Sequence, residues 1–205
     1  MLKKKDFIEI EFTGKIKESG QIFDTTIEKD AKKIGLKEVK PLKLCIGEKM
    51  LPEGFDEALE GKEVGKLYSI ELEPKKAFGL RDSKLIRVIP LSVFTEKNVN
   101  PYPGLVLNVD GILARIISVS GGRVITDFNS PLAGKKVVYE FKVLRLIEDK
   151  EEKLKTLAEF FLGNVETKIE NNKAVINIDK KMKKNKTFEL KTKELLNLDI
   201  EYKEK

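Results

Sequence analysis

Apolar and polar residues alternate through "DFIEIEF", with Ile8, Ile10 and Phe12 two apart on one face of a predicted strand. The alternation breaks at "ESGQ" and resumes at "IFDTT", which predicts a second strand joined to the first by a turn. In "IEKDAKKIGL" the spacing changes: Ile27, Ala31 and Ile34 stand four and three apart, as on one helix face, and Gly35 can close the helix. "PLKLCIG" returns to a strand pattern. "PEGFDEALEG" predicts a short helix with Pro52 near its start, Gly61 at its end, and Phe55 and Leu59 sharing a face. "KLYSIELEP" alternates again as far as Pro74.

From about Asp82 charged residues thin out. "LIRVIPLSVF" is apolar, "NVNPYPG" interrupts the chain, and "LVLNVDGILARIISVSGGRVITDFN" reads as three short strands separated by the hairpin signals "DG" and "SGG". "KKVVYEFKVLRLIED" is a clean strand with Val137, Tyr139, Phe141 and Val143 on one face. After Asp149 the chain becomes rich in Lys and Glu. "KEEKLKTLAEFFLG" predicts a helix striped by Leu154, Leu157, Ala158 and Phe161 and closed by Gly163. "NVETKIENNKAVINID" reads as a hairpin, and "KTFEL" and "LDIEYK" as strands flanking a short helix, "KELLN". Residues 150–205 are thereby expected to form a small separate α/β domain.

Composition narrows the chemistry. The chain has 205 residues, 36% charged and 40% hydrophobic, enough for one or two soluble domains with a real core. No apolar run reaches the ~18 residues of a membrane span. The basic N-terminus lacks the apolar stretch of a signal peptide, so a cytoplasmic location is the expectation. With no histidine, a Ser-His or Cys-His pair and a His-built zinc site are excluded. Cys45, the single cysteine, has no internal disulfide partner and reads as a buried small apolar residue. The net charge of +6 is spread among 34 acidic residues and reads as a solvated Lys/Glu surface, with RNA or the ribosome as the alternative partner. Five lysines between Lys180 and Lys186 have no interleaved aromatic residue, so they read as a solvated basic loop rather than a base-stacking surface.

Three stretches taken together, "EFTGKIKESGQIFDTT", "LKLCIGEKMLPEGFDEALEGKEVGKLYSIELEPKKAFG" and "VVYEFKVLRL", resemble the FKBP-type peptidyl-prolyl isomerases over about 1–80 and 136–148. Residues 82–135 resemble the chaperone domain inserted in the flap of SlyD-like members. "IEKDAKKIGL" and the C-terminal extension resemble the long archaeal members. The resemblance implies an α+β fold: an antiparallel half-barrel sheet around one short helix, an inserted small all-β domain, and a C-terminal α/β extension. It implies an isomerase domain over 1–83 and 135–149, an insert over 84–134, and the extension over 150–205. It places Phe55 at the floor of the active-site pocket, with Phe12, Phe23, Asp24, Leu42, Leu51, Phe78 and Tyr139 around it, and calls for neither cofactor nor metal. Taken singly, most of these residues read equally as core positions on alternating strands, and Asp24 as a locally bonded turn carboxylate.

The implied reaction fits these residues. Amide resonance sets a barrier of ~18–20 kcal/mol to rotation about an X–Pro bond, and no bond is broken, so no nucleophile is needed. The twisted transition state loses resonance and dipolar character, and a dry apolar pocket favours it over the planar ground state. Three positions depart from the family pattern: Phe78 and Phe12 stand where a tyrosine is usual, and Pro52 where a backbone N–H commonly meets a ligand carbonyl. In the insert, Ile89, Leu91, Val93, Phe94, Tyr102, Leu105, Val106 and Ile112 are more apolar residues than so small a unit can hide, and they are expected to hold unfolded clients. The expected partners are unfolded or proline-containing polypeptides, with the ribosome and a second copy through the C-terminal region as further candidates, and no membrane. The competing expectation is a mainly non-catalytic chaperone or interaction module on the same scaffold.

Overall fold

In the computed structural model, residues 1–179 and 184–204 are described. The chain divides into two compact units, Met1–Leu72 with Val137–Lys205 and Glu73–Lys136. In chain order the first unit opens with β1 (Phe7–Ile16), β2 (Ile22–Thr25), α1 (Glu28–Lys33), β3 (Leu42–Cys45), α2 (Glu53–Leu59) and β4 (Leu67–Leu72). The second unit holds β5 (Ile86–Pro90), α3 (Leu91–Glu96), β6 (Val106–Val109), β7 (Ile112–Ser120) and β8 (Arg123–Asp127). The chain returns to the first unit as β9 (Val137–Leu146), then α4 (Lys150–Leu162), β10 (Glu166–Glu170), β11 (Lys173–Ile178), α5 (Lys186–Leu196) and β12 (Asp199–Glu204).

The main sheet is antiparallel, in the order β2-β1-β9-β4, with β3 paired to the first half of β1. Register fixes its two faces. Ile10, Phe12 and Gly14 stand opposite Val143, Phe141 and Tyr139, so these side chains share one face, closed by Phe55 and Leu59 of α2, both fully buried. Phe7 stands opposite Cys45 on the other face. These two, with Ile147, are buried against Leu154, Leu157 and Ala158 of α4 and against Ala174, Ile176, Phe188 and Leu196.

That second face corrects the expectation of a separate C-terminal domain. Phe7, Cys45 and Ile147 are apolar on the outside of the sheet, and exposing them would forfeit roughly 25 cal/mol per Å² of buried apolar surface. Residues 150–205 therefore share a core with the sheet. Ion pairs border it: Arg145 bridges Glu9 and Glu152, Lys43 reaches Glu152 at 2.8 Å, Lys191 reaches Glu48 at 2.9 Å, and Lys5 reaches Glu194 at 2.8 Å. "KTFEL" is also corrected, from strand to the first half of α5. Asn185 caps this helix by accepting the Phe188 N–H at 3.1 Å, and Phe188, Thr192 and Leu196 form its buried stripe at four-residue spacing. "ENNK" makes the expected hairpin turn, with positive φ at both Asn171 and Asn172. β12 completes this small sheet parallel to β11.

The second unit is a four-stranded antiparallel sheet, β5-β8-β7-β6, around Phe94, Ile116 and Val124. It begins earlier than residue 84. Asp127 accepts hydrogen bonds from Arg81 and from the Asn129 side chain and backbone, and Asn129 accepts the Asp82 N–H at 2.8 Å, so residues 81 and 82 are fastened to the end of β8. The apolar stretch after Pro90 forms the short helix α3, beyond the all-β expectation, and buries Phe94. Among the described residues no helix is long and apolar enough to cross a membrane.

Candidate functional site

The segment leading into α2 is organised by its two ends. Pro52 has no N–H to leave unpaired, and its carbonyl accepts the N–H groups of Phe55 and Asp56 at 2.9 and 3.0 Å. Asp56, one turn into the helix and buried, accepts the N–H of Gly47 at 3.0 and 3.1 Å and that of Lys49 at 3.3 Å. The turn after β3, where both of these residues have positive φ, is thus locked to the helix. Phe55 is thereby held against the sheet with no exposed surface.

Around Phe55 the sheet presents interlocking rings. Tyr139 lies 4.4 Å away between centroids at a 32° tilt, Phe141 5.0 Å away, and Phe12 5.8 Å away edge-on. Phe12 also meets Tyr139 at 5.9 Å. Phe23, half-buried on β2, meets Tyr139 edge-on at 5.7 Å. These centroid distances and edge-on contacts are the favoured geometry of aromatic pairs. Gly14 makes the last contact possible: a Cβ there would stand 2.7 Å from Phe23 Cζ and 2.9 Å from Tyr139 Cε1.

Behind the rings, the Thr13 hydroxyl bonds to that of Thr25 and donates to Asp30 of α1, each at 2.9 Å, and the Thr26 hydroxyl accepts the Phe12 N–H at 2.8 Å. These bonds fix β2, and with it Asp24, against β1. Asp24 is solvent-accessible at the edge of the cluster. Even so, partial desolvation lifts its carboxyl above the usual aspartate range, opposed by a hydrogen bond from the Thr25 backbone. The Tyr139 phenol is pushed well above its ordinary value, first by burial and then by the charge of Asp24 nearby. The hydroxyl of this nearly buried tyrosine makes no hydrogen bond to another described residue.

Of the expected pocket residues, Phe12, Phe23, Phe55 and Tyr139 come together, with Asp24 at their edge. Leu42 begins β3 opposite Ile10 and is half-buried. Leu51 is half-buried just before Pro52. Phe78 belongs to the second unit, two residues beyond the short 3-10 turn Pro74–Lys76. Sequence reading passed over Gly14, Asp30 and Asp56. Phe141 was on the apolar face of its predicted strand but not assigned to the site.

In the second unit, Val93, Tyr102, Val106 and Ile112 are exposed, Tyr102 to 58% and Ile112 to 55%. Ile89, Leu91 and Leu105 are half-buried against the core. Phe94 is a correction: it is itself core, because α3 turns it onto Ile116 and Val124. Lys180–Lys183, most of the basic run, lie outside the described residues. Among the described residues no group of three or more His, Cys, Asp or Glu could hold a metal ion.

The family model described as FKBP-type peptidyl-prolyl cis-trans isomerase matches residues 1–92, and that described as FKBP26, IF domain matches residues 87–132. The chain is 35% identical over 147 residues to the short-type peptidyl-prolyl cis-trans isomerase of Methanocaldococcus jannaschii, covering 70% of this chain and 92% of that protein. It is 28% identical over 149 residues to the FKBP-type isomerase SlyD of Helicobacter pylori, covering 71% and 75% respectively. It is 31% identical over 111 residues to the FKBP-type 16 kDa isomerase of Escherichia coli, covering 52% and 74%.

Proposed function

The chain belongs to the FKBP-type peptidyl-prolyl cis-trans isomerase family, and from that membership we propose that it isomerises X–Pro bonds in the bowl formed by Phe12, Phe23, Phe55 and Tyr139. The observation that carries this reading is the interlocked ring cluster with Asp24 at its edge and a Tyr139 hydroxyl that has no hydrogen-bond partner among the described residues. The proline ring packs on Phe23, the one partly exposed ring, backed by the buried rings of Phe12, Phe55 and Tyr139, with Leu42 and Leu51 as flanking apolar contacts. Desolvation there destabilises the planar, dipolar amide more than the twisted transition state. The Tyr139 O–H donates to a substrate carbonyl, and the Asp24 carboxylate orients the polarised amide.

A proline-peptide isomerisation assay on Phe23→Ala and Asp24→Ala tests this. Losing the apolar contact of Phe23 forfeits about 1.5 kcal/mol or more, which is at least about tenfold in kcat/KM. Full activity in both variants would overturn the site. A wild-type protein that suppresses aggregation but turns over no peptide would support the non-catalytic module instead.

The second unit serves, on this reading, to hold unfolded or proline-containing polypeptides and deliver them at high local concentration. Its support is the exposed apolar set that includes Val93, Tyr102, Val106 and Ile112. Deletion of 84–134 is expected to depress refolding of protein clients far more than turnover of a tetrapeptide; equal losses would refute the holding role. We place this work in the cytoplasm, on chains leaving the ribosome. The edge strands β10 and β12 and the exposed Leu190 of α5 favour a homodimer through the C-terminal region, which sedimentation would test.

A further inference from the structure

We propose that the outer face of the sheet in the second unit selects client segments in which carboxylates stand among apolar residues; this rests on the holding role above and names the segments it takes. Residues 73–136 hold ten of the chain's 40 Lys and Arg but only five of its 34 Asp and Glu. The rest of the chain holds 30 and 29, so five of the six net positive charges belong to this unit. Such segregation favours an anionic partner for one unit over a uniformly solvated surface.

Strand register places apolar surface beside that charge. Ile86, Asp127, Arg115 and Val106 form one row across β5, β8, β7 and β6. Ile116, next to Arg115, points to the other face, where it is buried with Phe94 and Val124. Ile86, Val88, Val106 and Leu113 lie on the outer face, and all four are exposed. Apolar residues on both faces of a sheet call for a second covering layer, and an extended polypeptide supplies one.

A cleft of about 360 Å³ is set into this face. Val106, Leu113 and Pro131 give its apolar lining, and Arg81, Arg115 and Lys135 its cations. Asp127, the lining's one carboxylate among the described residues, already accepts hydrogen bonds from Arg81 and from the Asn129 side chain and backbone. Arg115 and Lys135 are exposed and have no acidic partner among the described residues. A carboxylate entering the cleft therefore meets two unanswered cations, one of them a guanidinium fork that takes both carboxylate oxygens. The apolar residues beside that carboxylate cover Val106 and Leu113. A lysine in the same place meets repulsion. Among the described residues no aromatic ring lines the cleft, so base stacking is absent and polypeptide is favoured over RNA.

The test uses the full-length protein and proline-free dodecapeptides of Leu, Val and Ser with Glu, Gln or Lys at every third position, each carrying a neutral dye. Binding is read by fluorescence anisotropy at low and high salt. The Glu peptide is expected to bind about tenfold tighter than the Gln peptide, the effect of one charge-assisted hydrogen bond, and the Lys peptide more weakly than both. High salt is expected to shrink these differences. Arg115→Gln combined with Lys135→Gln is expected to bring the Glu peptide down to the Gln peptide, and Arg115→Glu combined with Lys135→Glu to reverse the order in favour of Lys. Equal affinity for the three peptides, or a Glu advantage kept in both double variants, overturns the proposal and leaves the holding role standing. So does a single-stranded RNA that binds tighter than the Glu peptide and is lost in the same variants, which would make the face a nucleic-acid site. Binding of none of the peptides overturns the holding role and the proposal with it.

Discussion

Replacing Tyr139 with phenylalanine separates folding from catalysis, because one oxygen is removed and the ring contacts stay. The contacts at 4.4 Å to Phe55, 5.7 Å to Phe23 and 5.9 Å to Phe12 all involve the ring and survive. The hydroxyl makes no hydrogen bond to another described residue, so the folded state has none to lose. Burial and the Asp24 charge already hold the phenol far from ionisation, which marks a poorly solvated polar group beside a carboxylate. Thermal stability should therefore hold or rise slightly. If the hydroxyl donates to the substrate carbonyl, its loss removes a bond worth about 0.5–1.5 kcal/mol, or about two- to twelvefold in kcat/KM. The assay pairs NMR-followed isomerisation of an Xaa-Pro tetrapeptide with thermal unfolding. Undiminished turnover would refute the donor role; a melting temperature lowered by many degrees would refute the unpartnered hydroxyl.

Gly14→Ala should destabilise the fold by about 1–3 kcal/mol and depress turnover, because its Cβ would force Phe23 and Tyr139 apart; urea unfolding matching wild type would contradict that packing. Glu152, hydrogen-bonded by Arg145 and then by Lys43, has its carboxyl held at about 2 against an ordinary 4.5. Its stabilisation is thus present above pH 4.5 and lost as pH falls towards 2, so Glu152→Gln should lower stability at pH 7 and converge with wild type near pH 2, whereas a pH-independent difference would refute the linkage. The Cys45 thiol is pushed up to about 12 by burial, then by Glu48 and Asp56. It should resist alkylation at pH 8 until the first unit opens, and rapid labelling of native protein would show that α4 does not cover it.

Strands with one buried face were legible because their period is two and their turns carry the expected glycines and asparagines. The failures share a physical cause. "KTFEL" contains residues a strand would accept, and its helical stripe of Phe188, Thr192 and Leu196 emerges only over eleven residues capped by Asn185. The C-terminal region looked independent because its composition changes at Asp149, yet Phe7, Cys45 and Ile147 already lay on the second face of the sheet. Apolar residues on both faces of a strand signal a second covering layer, and that signal was stronger than the change in composition.

The candidate site was legible through spaced motifs, but its tolerances were not. Gly14 and Tyr139 are far apart in sequence and meet only through the β1–β9 register, so no local pattern marks Gly14 as the residue that admits Phe23. The same register alters how the departures at Phe12 and Pro52 read. Each withholds a hydrogen-bond donor that the family pattern offers to a bound ligand carbonyl. On the proposed reading the β9 strand offers a donor from another direction: the Tyr139 hydroxyl, without a hydrogen-bond partner among the described residues, on a ring tilted 32° against Phe55 and within the field of Asp24. A donor on the central sheet is held by ring contacts on three sides, so it loses less freedom on binding than one on a loop would. If the proposed donor role holds, the polar assistance lies on the central sheet rather than on a loop, and the Tyr139→Phe comparison measures how much it contributes to turnover.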